Sequence, residues 1–137
     1  FSPVMTEVIA HAERGGYVLG ICNGFQILVE AGLLPGVLLR NEKQTFISKN
    51  VFLKPETTDS LLTNGLDPTR AYQVPIAHAE GRYFANEATL QALNDHDQVL
   101  FRYCDAQANV TPEANPNGSL QNIAGICNRG RNVFGLM

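Results

Sequence analysis

The stretch Val18-Leu19-Gly20-Ile21-Cys22-Asn23-Gly24-Phe25-Gln26 decides the fold of this chain. The apolar run from Tyr17 to Ile21 is typical of a buried parallel strand. Residues 24–31 then have the spacing of a helix, which Gly32 would cap at its C-terminal end. A buried strand that turns directly into a helix predicts an α/β fold.

The rest of the chain alternates between the same two kinds of element. Apolar residues at helical spacing predict a first helix over residues 4–14, closed by Gly15 and Gly16. Further on, we predict strands at 45–54, 74–77 and 98–103, a helix at 87–93, and a β-hairpin of strands 123–127 and 132–136. No linker, repeat or low-complexity tract divides these segments, so a single domain is expected.

Cys22 stands at the corner between the predicted strand and helix, with Gly20 and Gly24 on either side. A nucleophile at such a corner is held in a strained backbone conformation, and the glycines relieve crowding where the chain folds tightly. The helix N-terminus favours thiolate over thiol, and the backbone N–H of Asn23 could bind the oxyanion of a tetrahedral intermediate. The pattern alone leaves a second interpretation open, in which Cys22 is a small buried residue at a packed corner.

The composition excludes several classes of protein. The 137 residues are 45% hydrophobic and 17% charged, which suits a packed core and not a disordered tail. A net charge of -3 gives no electrostatic reason to expect nucleic acid or an anionic membrane as partner. The three cysteines and three histidines are scattered, so we expect free thiols, no disulfide framework and no metal site. A soluble, cytoplasmic protein is expected.

The corner also resembles the nucleophile motif of a known family. Gly20-Ile21-Cys22-Asn23-Gly24-Phe25-Gln26 is similar to that of class I glutamine amidotransferases. Its Asn-Gly-Phe-Gln part most resembles the glutaminase components of phosphoribosylformylglycinamidine synthases, which act in purine biosynthesis. Further blocks follow in the family's order, at 32–36 with 39–41, 75–83, 101–104, 115–119, 123–126 and 132–137. The resemblance therefore covers nearly the whole chain.

The resemblance implies a fold, a reaction and a set of site residues. The fold would be the flavodoxin-like amidotransferase arrangement, a central, mostly parallel sheet with helices on both faces. Cys22 would attack the side-chain amide of glutamine, form a γ-glutamyl thioester and release ammonia, with the Asn23 N–H in the oxyanion hole. The glutamine site would consist of Gly20, Gln26, Ala77, His78, Ala79 and Glu80, the last four acting largely through their backbone. Position 79 is often glycine in the family, and alanine is compatible with a backbone role.

The same resemblance implies that residues 1–137 are a partial amidotransferase domain. The family's base and its orienting group belong to a His-Pro-Glu motif directly after the Gly-Leu-Met that here is 135–137, and its N-terminal strands precede Phe1. The chain by itself is therefore expected to be a poor or inactive glutaminase. Ammonia would pass to an ATP-dependent synthetase, either a separate subunit or a fused domain. ATP and magnesium would bind to that partner, and no cofactor is expected in this domain.

Other interpretations remain open from the residues. The chain could be another α/β hydrolase with a cysteine at the corner, a thiol sensor, or a non-catalytic interaction subunit that keeps the fold. A sensor, however, needs no glutamine-recognition side chain such as Gln26. His78 is the one histidine near the predicted site, and a structural role is favoured over that of a base. Cys104 and Cys127 are expected to be buried and inert, and Arg129-Gly130-Arg131 to be a solvated turn.

Overall fold

The computed structural model of the chain describes residues 2–40, 47–78 and 80–137, and omits the side chains at 47, 48, 77, 78 and 80. The described helices are α1 (Pro3–Glu13), α2 (Asn23–Glu30) and α3 (Glu87–Asp95). The described strands are β1 (Val18–Ile21), β2 (Val37–Arg40), β3 (Ile47–Pro55), β4 (Tyr72–His78), β5 (Glu80–Phe84), β6 (Val99–Cys104), β7 (Ile123–Cys127) and β8 (Val133–Leu136). Short 3-10 helices cover Pro112–Ala114 and Leu120–Asn122.

The helix boundaries follow from the residues at their ends. α1 begins at Pro3, whose missing N–H would have no acceptor in the first turn, and the chain leaves the helix through Gly15 at φ 86°. After α2, Gly32 adopts φ 78°, a left-handed conformation that favours glycine. α3 is capped by Asn86, whose Oδ1 accepts a hydrogen bond from the Thr89 N–H at 2.8 Å. All three predicted helices are confirmed to within two residues at each end.

Six strands form one sheet in the order β1-β8-β7-β6-β3-β4, and β2 pairs with β5 in a separate two-stranded sheet. β1 and β8 are parallel, with Leu19 opposite Phe134, whereas the other described pairs of the large sheet are antiparallel. β7 and β8 must be antiparallel because residues 128–132, which join them, are too few for a crossover. The expectation of a mostly parallel sheet is therefore wrong for the described strands, although the α/β class holds.

The three helices lie on one face of the large sheet. Their buried residues Ala12, Phe25, Leu28 and Leu93 all belong to one hydrophobic cluster. Val133 belongs to the same cluster, whereas Phe134, the next residue of β8, belongs to a second one. Because adjacent strand residues point to opposite faces, the two clusters lie on opposite sides of the sheet. Leu62 and Leu66, from the loop before β4, pack on the second cluster. The expected helices on both faces are thus replaced, among the described residues, by a loop on one side.

One edge of the sheet brings several strand ends together. β8 is antiparallel to β7, and β7 is antiparallel to β6, so β6 runs in the same direction as β8 and β1. The C-terminal ends of these three strands therefore share an edge. Cys22 directly follows β1 at this edge, which is where open α/β sheets carry their sites.

Candidate active site

The backbone at Cys22 is strained. It adopts φ 54° and ψ -110° as the residue that caps α2, although it is not a glycine. Such a conformation costs about 1–3 kcal/mol and persists only where neighbours fix it. Two backbone hydrogen bonds fix it here: the Cys22 N–H donates to the Leu136 oxygen at 2.8 Å, and the Gln26 N–H donates to the Cys22 oxygen at 3.3 Å. The side chain is half-buried, so the sulfur sits at a rigid corner that reagents can approach.

The two glycines beside Cys22 have different surroundings. A Cβ on Gly20 would lie 2.6 Å from the Gly24 carbonyl oxygen and 2.6 Å from Leu28 Cδ1. Only glycine therefore allows β1 and the first turn of α2 to approach this closely. A Cβ on Gly24 would meet no atom within 4 Å. The prediction that both glycines relieve crowding is confirmed for Gly20 and wrong for Gly24, whose missing side chain instead leaves open space.

The N-terminus of α2 presents backbone donors beside the sulfur. The helix begins at Asn23, and the first N–H groups of a helix have no acceptor within it. The Gln26 N–H donates to the Cys22 oxygen. The N–H groups of Asn23, Gly24 and Phe25, which come before it, have no acceptor within the helix. These groups carry the positive end of the helix dipole. The assignment of the Asn23 N–H to an oxyanion hole stays a prediction, with its donor at the required end of the helix.

Gln26 lies one helical turn after Cys22 and is half-buried. Its side-chain Nε2 donates to Glu30 Oε1 at 3.3 Å, a pair at i and i+4 on the outside of α2. An exposed pair of this kind contributes only a few tenths of a kcal/mol, so it would yield readily to a ligand. The predicted contact of Gln26 with glutamine is untested and remains a prediction.

The predicted glutamine-site segment connects two strands. β4 ends at His78 and β5 begins at Glu80, while Ala79 and the side chains of Ala77, His78 and Glu80 lie outside the described residues. The following residues are anchored by Ser119. Its Oγ lies 3.2 Å from the Gly81 oxygen and accepts a hydrogen bond from the Tyr83 N–H at 3.1 Å. The turn at 115–119 thus holds the start of β5 in place.

Two buried polar residues were missed by sequence analysis. Tyr103 Oη and Asn117 Nδ2 are buried and have no hydrogen-bond partner among the described residues. Burial is the main cause that raises the pKa of the Tyr103 hydroxyl above its ordinary value. The sequence carried no signal of these two buried polar atoms, because Tyr103 fits an apolar strand and Asn117 fits a turn.

The other two cysteines differ from Cys22 in burial. Cys104 and Cys127 are 2% and 0% exposed, as predicted. Burial raises the pKa of both thiols, which keeps them protonated and unreactive at neutral pH. Cys22 is therefore the cysteine whose surroundings suit a nucleophile.

No group of three or more His, Cys, Asp or Glu side chains in the described part of the chain could hold a metal ion.

Arg131 is not the solvated turn residue that the sequence predicts. Its guanidinium donates to three backbone oxygens: that of Asp59, that of His96 at 3.0 Å and that of Asp97 at 2.7 Å. Arg129, by contrast, is exposed as predicted. Arg131 therefore connects the β7–β8 turn to the end of α3 and to the loop after β3, on the far side of the molecule from Cys22.

Comparison with known proteins identifies the family to which these features belong. Residues 2–137 match the family described as a CobB/CobQ-like glutamine amidotransferase domain. The phosphoribosylformylglycinamidine synthase subunit PurQ of Koribacter versatilis is 56% identical over 137 residues, which are 100% of this chain and 59% of that protein. The subunit of the same name from Synechocystis sp. is 53% identical over 100% of this chain and 61% of its own length.

A solved structure supports the same relationship. The structure of PurLQS from Thermotoga maritima matches 96% of this chain and 54% of the compared chain, with a TM-score of 0.79 and 41% sequence identity. This likeness confirms the α/β amidotransferase fold. The chain spans about three fifths of the length of the curated relatives it matches. None of the described helices is long and apolar enough to cross a membrane.

Proposed function

We infer, because this chain belongs to the CobB/CobQ-like glutamine amidotransferase family, that it hydrolyses the side-chain amide of glutamine. The observation that carries this proposal is the strained corner at Cys22, with φ 54° between β1 and α2. A cysteine in this conformation presents its sulfur at a helix N-terminus, where developing negative charge is stabilised. A cysteine that served packing alone would have no need of the strain.

The reaction would proceed in two steps through a covalent intermediate. The Cys22 sulfur attacks the amide carbon of glutamine, and the carbonyl oxygen becomes an oxyanion beside the Asn23 N–H. The C–N bond then breaks, the leaving nitrogen takes up the proton that the Cys22 thiol lost on attack, and ammonia departs while a γ-glutamyl thioester remains on Cys22. Water attacks this thioester, which releases glutamate and restores the thiol.

Substrate binding would use the residues around the open space next to Gly24. Gly20 keeps β1 close to α2, and Gln26 would exchange its exposed bond to Glu30 for one to glutamine. The backbone from Ala77 to Glu80 would line the other side of the glutamine. This assignment rests on the resemblance to the family and on the anchoring of Gly81 by Ser119.

The ammonia would be used by a partner. The compared relatives are subunits of phosphoribosylformylglycinamidine synthase, so we propose that this chain supplies ammonia to the synthetase of that enzyme in purine biosynthesis. ATP and magnesium would bind to the synthetase, and this domain would need no cofactor. The reaction would take place in the cytoplasm, where free thiols persist.

The competing proposal is a protein that keeps the fold without catalysis, as an interaction subunit or a thiol sensor. The half-buried Cys22 would also suit a sensor. The two proposals differ in whether glutamine protects the thiol, because a sensor has no glutamine site.

The proposal is tested by labelling the intact protein with a diazoketone analogue of glutamine and locating the adduct by peptide mass spectrometry. We expect one adduct, on Cys22, whose formation glutamine slows in proportion to its occupancy of the site. Cys22→Ala should abolish both the adduct and ammonia release, a loss of 10⁴-fold or more being on the order of that for other catalytic nucleophiles. Equal labelling of Cys104 or Cys127, or an adduct on Cys22 that glutamine does not slow, would favour the competing proposal.

A further inference from the structure

The first residues of β3 have a neighbouring strand on one side only. β3 pairs with β4 along residues 47–53, whereas its pairing with β6 begins at Phe52, which lies opposite Cys104. Cys104 is the last residue of β6. In the described part of the chain, residues 47–51 of β3 therefore form an open strand edge beyond the end of β6.

The backbone groups of Asn50 point to this open side. The Glu56 N–H donates to the Leu100 oxygen of β6 at 2.8 Å, and the backbone groups of successive strand residues alternate between the two neighbouring strands. Asn50 is an even number of residues before Glu56 in a regular register, so its backbone groups face the same side. Pro75, which lies opposite Asn50 on β4, agrees with this direction because proline has no N–H for a hydrogen-bonded pair. The N–H and the carbonyl oxygen of Asn50 therefore have no partner strand among the described residues.

A groove of about 500 Å³ lies along this open edge. Its walls are β3 and the segment between Cys104 and Ala114, which follows β6. Val51, which is buried, supplies apolar surface, while Lys49 on one wall and Asp105 and Glu113 on the other supply charge. A ligand that fits this groove is an extended peptide, which adds to β3 through backbone hydrogen bonds and directs an apolar side chain towards Val51.

The groove lies at the sheet edge where ammonia would be released. β3 is antiparallel to β6, so its first residues lie at the edge that the C-terminal ends of β1, β8 and β6 share. The groove continues the line of β6, which is three strand positions from β1 and hence about 14 Å along the sheet from the strand that ends at Cys22. A synthetase that receives ammonia from Cys22 has to cover this same edge.

We propose that the open edge of β3 at Asn50 is a docking site for an extended segment of the synthetase, which joins the sheet in line with β6. The inference rests on the proposed function and adds a docking surface to it. An open strand edge pairs readily with another chain, and the synthetase is the chain that the transfer of ammonia requires at this place. Because Asp105 and Glu113 share one wall of the groove, the segment is expected to carry a basic side chain.

The inference is tested with Asn50→Pro in the intact protein, because proline removes the open N–H and leaves the pairing with β4 in place. We expect the Kd for the purified synthetase, measured by titration calorimetry, to rise about 10-fold or more. The melting temperature and the diazoketone labelling of Cys22 should stay those of the parent protein. Asn50→Ala is the matched control, since it removes the side chain but keeps the N–H, and it should bind the synthetase as the parent does.

Hydrogen exchange gives a second measurement that needs no variant. When the synthetase binds, the amide hydrogen of Asn50 should exchange about 10-fold or more slowly, because it becomes part of a strand pair. The amide hydrogens of residues 128–131, in the β7–β8 turn on the far side of the molecule, should exchange at an unchanged rate.

Four outcomes would contradict the inference or its premise. Parent-like binding by Asn50→Pro, or equal weakening by Asn50→Ala, would overturn the inference while the proposed function stands. A lower melting temperature of Asn50→Pro with unchanged binding would assign the edge to another segment of the same protein, which also overturns the inference. So would a dimer of the parent protein that Asn50→Pro dissociates. If glutamine fails to protect Cys22 in the parent protein, the proposed function itself fails.

Discussion

Gly20 and Gly24 flank the same cysteine but differ in what a side chain would encounter. Alanine at position 20 would place its Cβ 2.6 Å from the Gly24 carbonyl oxygen, a backbone atom that cannot turn aside as a side chain can. We expect Gly20→Ala to lower the free energy of unfolding by about 1–3 kcal/mol and to reduce glutamine protection of Cys22. Urea denaturation, followed by circular dichroism, measures the first effect, and the labelling assay measures the second.

Gly24→Ala is the matched control for this prediction. Its Cβ would meet no atom within 4 Å, and alanine stabilises a helix relative to glycine by up to about 1 kcal/mol. The stability should therefore stay the same or rise. Equal destabilisation by both substitutions would show that the corner does not depend on the close approach of β1 to α2.

The corner itself could be predicted from the sequence, because a local pattern of strand, cysteine and helix specifies it. The burial of Tyr103 Oη and Asn117 Nδ2 without a partner among the described residues could not, since it depends on how segments distant in sequence pack together. The distinction between Gly20 and Gly24 also needs coordinates, because both occupy equivalent places in the motif.

At the scale of elements, Arg131 joins the β7–β8 turn to two loops. Its backbone has φ 59°, which is unfavourable for a residue with a side chain, and its guanidinium satisfies three carbonyl oxygens. We expect Arg131→Met, which keeps much of the side-chain stem, to lower the free energy of unfolding by about 1–2 kcal/mol, because three carbonyl oxygens lose a charged donor.

The exposed neighbour Arg129 provides the comparison for this prediction. Arg129→Met removes the same charge from the same turn and should change the stability by less than about 0.5 kcal/mol. Both variants are measured by denaturant unfolding. If the two had equal effects, the net charge of the turn would matter and the three hydrogen bonds would not.

The elements that the sequence predicts well are those with strong local signals. The three helices and the hairpin of β7 and β8 are confirmed, since glycines, proline and apolar spacing define them. β2 and β5 were not predicted. They pair with each other across more than forty residues, with Leu38 opposite Tyr83, and their short segments form strands only because the partner is present. The sequence also did not predict that most strand pairs of the large sheet are antiparallel, because a local pattern of residues does not specify the relative direction of two strands.

At the scale of the whole molecule, buried tyrosine and cysteine side chains make the free energy of unfolding depend on pH in alkaline solution. Burial raises the pKa of Tyr83, Tyr103, Cys104 and Cys127 above the ordinary values of 10.0 for tyrosine and 9.0 for cysteine. The unfolded chain releases these protons first, so it binds fewer protons than the folded chain in alkaline solution. These four groups therefore leave the free energy of unfolding unchanged between about pH 6 and pH 8 and make it fall as the pH rises past about 9.

Melting temperatures measured between about pH 7 and pH 10.5 test this expectation, with a decline on the order of several degrees at the alkaline end. Cys127→Ala removes one of the groups and should make the decline near the ordinary thiol value shallower, while the tyrosine part persists. A melting temperature that stays constant up to pH 10 or so would contradict the burial of these groups in solution.

The pairing of β1 with β8 also has a consequence for how the protein is made. In the described sheet β8 is the only neighbour of β1, and Leu19 meets Phe134 about 115 residues later in the chain. A ribosome needs roughly 6 to 23 s to add that many residues. During this interval Cys22 lacks the Leu136 oxygen that holds its backbone, so the corner at Cys22 cannot take its final form before β8 has been made. A nascent chain that ends before β8 would carry an unconstrained thiol, and the strained conformation of Cys22 would arise only after β8 had been added.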